Sequence, residues 1–289
     1  MVYEQVGRII ERKCERMKLD VQPFIENLRN SLDLTEQKRL LIVHVAGNPA
    51  SEFYVKSKLK EAEKWNVHCY EARFNEDITT EQLEAYIMME SWKNVPFKWD
   101  GIIVQLPLPS HINEQEILDI IPKELNVDGF EQSHTKEQFY TPCTALGIVE
   151  YLKSITNLEG KNVTLIGRGK TVGKPLIPLL LKENTTLTIC HSRTNPSSLE
   201  SHLNSADIVI SAIGKPQYIK PFDISKGTMK KKIVIDAGIS RVDGKQVGDL
   251  KHDDYLDTVD YTPWTNGVGK LTVAMLMYNV RKDIGGVKQ

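Results

Sequence analysis

Apolar residues recur along the chain in two alternating modes. Short β-branched runs at residues 39–45, 67–73, 100–106, 163–166, 186–190, 206–212 and 232–237 read as buried strands. Between them lie helix-length amphipathic segments, at residues 3–17, 21–32, 51–65 and 80–92, with a last one at 269–282. Strands that alternate with helices predict an α/β fold, and strands that are apolar on both faces predict parallel sheets covered on both sides.

The second group of strands opens on Val163-Thr-Leu-Ile-Gly-Arg-Gly-Lys-Thr-Val-Gly-Lys-Pro175, a strand running into a glycine-rich turn that starts a helix. Such a turn cradles phosphate. Gly167 permits the bend, Gly169 lets backbone N–H groups approach a pyrophosphate, and Gly173 lets the helix start pack closely with its positive dipole end toward the anion. The spacing G-x-G-x-x-x-G is one residue longer than the commonest dinucleotide fingerprint. With the strands that follow, it predicts a doubly wound parallel sheet with a ligand across the strand ends, near Gly167, Ser192, Gly214 and Gly238. The second of these strands ends in His191-Ser192-Arg193, where NAD-binding chains place a carboxylate for the ribose 2′-hydroxyl. A guanidinium there, with Arg168 inside the turn, favours a 2′-phosphate and hence NADP over NAD; both arginines as solvated surface residues is the bland alternative.

A chain of 289 residues with 40% hydrophobic content holds one large or two ordinary domains. The phosphate turn begins only near residue 163, so the first half is expected to form its own domain. The boundaries expected are residues 1–145, completed by a C-terminal helix at 269–289, and a Rossmann-like nucleotide domain at 146–268. A formal net charge of −1 and a pI near 6.7 argue against nucleic acid or an anionic membrane as partner. No apolar signal core and no 18-residue apolar run occur, and Cys14, Cys69, Cys143 and Cys190 have no C-x-x-C spacing. A cytoplasmic protein without a metal site is expected.

Three constellations in the first half could carry chemistry. In Tyr54-Val-Lys-Ser-Lys58 a phenol and an ammonium sit four apart on one helical face, either an acid–base pair or an ordinary exposed lysine on an amphipathic helix. Gln105-Leu-Pro-Leu-Pro109 ends a buried strand on an amide that needs partners. Asn126-Val-Asp128-Gly129 puts a carboxylate on a turn, which is also a common structural signal.

The ordered motifs N-P-A-S-x-x-Y-x-x-x-K, D-G-I-I-V-Q-L-P-L-P, V-D-G-F, P-C-T-x-x-G, G-R-x-x-x-V-G-x-P, C-H-S-R-T and G-V-G-x-x-T together resemble the methylenetetrahydrofolate dehydrogenase/methenyltetrahydrofolate cyclohydrolase family over nearly the whole chain. The resemblance implies two α/β domains flanking a cleft, a homodimer formed through the cofactor domains, NADP as cofactor and tetrahydrofolate derivatives as substrates. It implies Lys58 as the cyclohydrolase lysine, Tyr54 stacked on the folate, Gln105 positioning Lys58, and Asp128 gripping the pterin. Leu106, Pro107, Pro263, Gly267 and Val268 complete the expected folate-binding set. Gly167, Arg168, Gly169, Val172, Gly173, Ser192, Arg193, Gly214 and Ile239 form the expected cofactor set.

The chain departs from the family pattern at Ala46 and Gly47, at Ala145, at Asn126, and most at Thr262-Pro-Trp-Thr-Asn-Gly-Val-Gly-Lys-Leu-Thr272, where Trp264 replaces a smaller residue. Trp264 is expected to narrow the folate cleft. A dehydrogenase-only member and a non-catalytic folate- or nucleotide-binding relative are the alternatives within this resemblance. A short-chain oxidoreductase also uses Tyr-x-x-x-Lys, but there the glycine turn precedes the tyrosine, the reverse of the order here.

Overall fold

The computed structural model describes residues 18–92, 98–130, 139–220, 224, 231–243, 245–251 and 259–282. The helix expected at 3–17 lies outside them. The chain divides into two compact units, one of residues 23–147 with 271–289 and one of residues 1–22 with 148–270. Where the sequence reading joins everything from residue 1 to the first domain, residues 18–22 associate with the other unit. The Leu19 N–H donates to the Tyr261 carbonyl at 2.9 Å, and the Tyr151 hydroxyl to the Asp20 carbonyl.

In the unit built on residues 23–147, α1 (Gln22–Asn30) leads to β1 (Lys38–Val45), α2 (Pro49–Lys64), β2 (Val67–Phe74), α3 (Thr80–Ser91), β3 (Gly101–Val104) and α4 (Glu114–Asp119). The strands form a parallel sheet in the order β2-β1-β3. Central β1 is buried from Leu40 to Val45, as a strand covered on both faces must be. Asn48 caps α2 by accepting from the N–H groups of Ala50 and Ser51, with Pro49 in the first turn. The buried positions of α2 are Ser51, Val55, Lys58 and Ala62, a single stripe at helical spacing. A lysine therefore stands in the core-facing row of this helix, the origin of the site described below. A Thr79/Gln82 capping box starts α3.

Helix α5 (Cys143–Ile155) leads into the other unit, which holds β4 (Asn162–Ile166), α6 (Gly173–Lys182), β5 (Thr186–Cys190), α7 (Pro196–Ser205), β6 (Ile208–Ser211), β7 (Lys232–Asp236), the antiparallel pair β8 (Ser240–Val242) and β9 (Lys245–Val247), and β10 (Val259–Tyr261). Its main sheet is parallel in the order β10-β7-β6-β4-β5. The chain starts at β4, steps outward to β5, then returns past β4 to β6. That reversal is the doubly wound arrangement expected, and it opens a crevice at the carboxyl ends of β4 and β6. The last helix is α8 (Val268–Arg281). The hairpin β8–β9 and the short β10 had no sequence signal strong enough to place them.

Candidate active site

In the unit of residues 23–147 and 271–289, the buried stripe of α2 sets Lys58 against the end of β3. Lys58 is 6% exposed and Gln105 7%, which excludes the solvated-lysine alternative. The Lys58 Nζ donates to Gln105 Oε1 at 3.0 Å, and Gln105 Nε2 donates to the Leu106 carbonyl at 2.7 Å. The second bond fixes the amide: with its NH₂ committed to Leu106, the amide can offer only its oxygen to the ammonium. The same Leu106 carbonyl accepts from the Ser51 hydroxyl at 3.4 Å. Tyr54 lies one helical turn before Lys58, half-buried, with the Phe53 ring edge-on at 6.1 Å. Among the described residues no carboxylate forms an ion pair with Lys58. Its positive charge is felt by the Cys69 and Cys143 thiols, although burial dominates and pushes Cys69 up to about 12 and Cys143 well above the usual thiol range.

Asp128 stands on the turn after α4. The turn is shaped by Asn126, which is buried and donates from Nδ2 to the Phe130 carbonyl at 3.1 Å, and by Gly129 at φ 74°. A side chain on Gly129 would collide with the Thr141 and Pro142 backbone. The Asp128 charge adds to the burial that raises Cys143. Asn279 of α8 ties the turn down, donating to the Val127 carbonyl at 2.9 Å and the Thr141 carbonyl at 3.4 Å. It escaped the sequence reading, though a lone amide in the apolar run Val273-Ala-Met-Leu-Met-Tyr-Asn279 is a signal of that kind.

The other unit has a cavity of about 760 Å³ at the predicted crevice. Gly167, Arg168, Gly169 and Ser192 line it, together with Ala212, Ile213, Lys215, Tyr218 and Lys220. The three glycines of the turn differ in what they do. Gly167 has φ 114°, and a Cβ on it would overlap the Ala212 carbonyl oxygen; a Cβ on Gly173 would overlap the Gly167 carbonyl oxygen. Gly169 faces open space within the cavity lining, so no side chain stands between its backbone and a ligand, while its carbonyl accepts from the Lys174 N–H at 2.9 Å. Helix α6 begins at Gly173 without a side-chain cap. Its first turn has few N–H groups to spare, since Lys174 donates to the Gly169 carbonyl at 2.9 Å, Pro175 has no N–H, and Leu176 donates to the Val172 carbonyl at 3.1 Å.

Not every expected cofactor residue lies in this lining. Val172, half-buried, and Gly173, buried, lie outside it at the start of α6, and exposed Arg193 donates its N–H to His191 Nδ1. Gly214, at φ 69°, and Ile239, 40% exposed, also fall outside the cavity lining. Lys215, Tyr218 and Lys220 were missed because they sit on a loop without a motif; the Lys215 Nζ lies 5.3 Å from the Tyr218 ring centre. Gly238 serves the protein rather than a ligand, since the space beside its Cα holds the Asp249 carboxylate.

The expected folate set is divided between the units. Tyr54, Lys58, Gln105, Leu106, Pro107 and Asp128 lie in one, and Pro263, Gly267 and Val268 in the other. Gly267 is needed where it stands, because a Cβ would overlap the Pro263 carbonyl oxygen. Trp264 is anchored within its own unit. Its Nε1 donates to the Leu250 carbonyl at 3.1 Å, its carbonyl accepts from Gln246 Nε2, and its indole edge fills the space beside Gly248.

Two family models match the chain: the catalytic domain of tetrahydrofolate dehydrogenase/cyclohydrolase over residues 11–128, and its NAD(P)-binding domain over residues 142–285. The bifunctional protein FolD of Bacillus pumilus is 38% identical over 270 residues, 89% of this chain and 92% of that protein. The FolD of Rickettsia massiliae is 39% identical over 280 residues, 92% of this chain and 90% of that protein. The chain belongs to the tetrahydrofolate dehydrogenase/cyclohydrolase family. Among solved structures, the bifunctional FolD of Campylobacter jejuni superposes with a TM-score of 0.77 at 33% identity, covering 90% of this chain and 93% of that one. The Trypanosoma brucei FolD, complexed with NADP and an inhibitor, does so with a TM-score of 0.80 at 28% identity, covering 92% of this chain and 96% of that one. This family member therefore carries both the family's catalytic domain and an NAD(P)-binding domain that contains the glycine turn. It is an enzyme of both activities.

Proposed function

We propose that this chain oxidises 5,10-methylenetetrahydrofolate with NADP to the 5,10-methenyl compound and hydrolyses that product to 10-formyltetrahydrofolate, with Lys58 as the group that moves protons in the second step. The observation that carries the reading is the buried Lys58–Gln105 bond, in which an oriented amide holds a lysine away from solvent. Removal of hydride from the methylene carbon leaves an amidinium cation shared by two nitrogens, so the first step asks mainly for alignment. Hydrolysis asks for more. Water adding to the methenyl carbon must lose a proton, the nitrogen that leaves that carbon must gain one, and the second O–H proton goes to solvent as the formyl C=O forms. Lys58 Nζ, once it has given up one proton to become the amine, can take the water's first proton and return one to the nitrogen, while Gln105 Oε1 keeps it in place. Tyr54 offers a ring face for the folate, and Asp128 a carboxylate for the pterin's donors.

The residues at the crevice of β4 and β6 fit a dinucleotide phosphate. The Cβ space at Gly169 is empty, and Arg168, Lys215 and Lys220 bring positive charge to the lining. Arg168 and Ser192 would hold the 2′-phosphate, and the bound cofactor supplies the hydride acceptor. Two copies of the chain associate in this reading, supported by β5 at the sheet edge, where Ile189 is 37% and nearby Leu181 55% exposed. A cytoplasmic setting is supported by the free thiols of Cys69, Cys143 and Cys190.

The test is turnover of 5,10-methylenetetrahydrofolate with each nicotinamide. kcat/KM is expected to be higher with NADP, and a preference for NAD would refute the cofactor assignment. Arg168→Ala should weaken NADP binding by roughly 1.5–3 kcal/mol, the scale of a hydrogen bond to a charged group, while NAD use stays nearly unchanged.

A further inference from the structure

The loop that leaves β6 is held from beneath by one buried carboxylate. Asp249 is fully buried and accepts three hydrogen bonds of 2.8 Å, from the Ser211 hydroxyl, the Ile213 N–H and the Lys215 N–H. Its own N–H donates to Asp236 Oδ1 at 3.0 Å, so the residue is fixed from behind. The bonds have a geometric consequence. In a trans peptide the N–H and C=O point in opposite directions. Drawing the Ile213 N–H down to Asp249 sends the Ala212 carbonyl the other way, onto Gly167, where only hydrogen fits. Drawing the Lys215 N–H down turns the Gly214 carbonyl outward, where the Ser240 hydroxyl donates to it at 3.2 Å. Ala212, Ile213 and Lys215 line the nucleotide cavity.

We propose that Asp249 is a positioning residue of the nucleotide site: it sets the peptide orientations of residues 212–215 and, through the Ala212 carbonyl packed on Gly167, the shape of the phosphate turn. The inference rests on the assignment of NADP to this cavity. No part of Asp249 lines the cavity, so its effect on the ligand passes entirely through the backbone it holds. Gly238 is part of the device, since a side chain there would occupy the carboxylate's place.

The experiment is equilibrium titration of the full chain with NADPH, followed by fluorescence, for the parent, Asp249→Asn and Ser211→Ala, with hydrolysis of methenyltetrahydrofolate in the absence of nucleotide measured in parallel. In Asp249→Asn an NH₂ must face an N–H or O–H donor, so at least one of the three bonds is lost. The Kd for NADPH is expected to rise roughly tenfold or more, the equivalent of one such bond, with hydrolysis within about twofold of the parent. Ser211→Ala removes a bond without freeing either peptide and should raise Kd by roughly threefold. An unchanged Kd in Asp249→Asn overturns the inference. If Asp249→Asn loses hydrolysis as well, Ser211→Ala decides: a selective rise in Kd supports the role, and no rise overturns it. Failure of the parent to bind NADPH would instead overturn the cofactor assignment, and the inference with it.

Discussion

The two chemical regions of this protein are built from different materials. Around the cavity at β4 and β6 the working parts are backbone: a glycine without room for Cβ and peptides turned by Asp249. Around Lys58 the working parts are side chains, an amine and an amide in contact on a helix and a strand end. A backbone site is spread over many atoms and is spoiled by changes of shape. A side-chain site concentrates its chemistry in one group and is spoiled by removing it.

The contrast breaks most visibly at Gly167. At φ 114°, with the Ala212 carbonyl against its Cα, Gly167→Ala must distort both loops. The cost of such strain, roughly 1–3 kcal/mol or more, should appear as a loss of about tenfold to a hundredfold in kcat/KM for NADP. Nucleotide-free hydrolysis of the methenyl substrate should stay near the parent rate. An equal fall in both activities would mean that the two regions do not fail independently.

Trp264 sharpens the comparison, because it sits in the loop where the chain differs most from the family pattern. The sequence suggests a residue that narrows the folate cleft, but the structure ties the indole to Leu250 and Gly248 of its own unit. Trp264→Val should therefore lower stability by about 2 kcal/mol from lost burial and a lost hydrogen bond, and Tm by roughly 4–8 °C. Normal Tm with an altered folate KM would restore the cleft role.

A further effect is expected from pH. Asp236 is pushed up to about 6, mainly by burial, with the neighbouring Asp249 charge adding to it and N–H bonds from Leu250, Asp249 and Gly238 opposing it. A carboxyl with a raised pKa binds its proton more tightly in the folded state. The stability it confers is complete below the ordinary carboxylate value of 3.8 and is lost as pH rises through about 6. Denaturant unfolding of the parent between pH 4 and 6 should show this falling component, and Asp236→Asn should remove it. An identical pH slope in the two proteins would contradict the assignment.

The division between backbone and side chain also explains what could be read in advance. The strands of both parallel sheets except β10, and the roles of Gly167 and Gly173, are legible because periodicity and glycine spacing record backbone geometry directly. The role of Lys58 was ambiguous from residue type alone; only its place in the stripe of Ser51, Val55 and Ala62 marks it as buried. Asn279 left only a lone amide in an apolar run, and Asp249 and the backbone N–H of Lys215 that it holds were not legible. Their partners are backbone groups or lie on separate elements, and short-range spacing carries no trace of such contacts.

The central claim is that hydrolysis depends on Lys58 while oxidation depends on the nucleotide cavity. It is tested most directly by following the methenyl compound during turnover of Lys58→Met, which keeps the apolar stem and deletes the ammonium. The account predicts that hydrolysis falls by roughly a hundredfold or more, the scale of a general acid–base group, while oxidation persists, so that the methenyl product accumulates. Hydrolysis at the parent rate, with no accumulation, would contradict it.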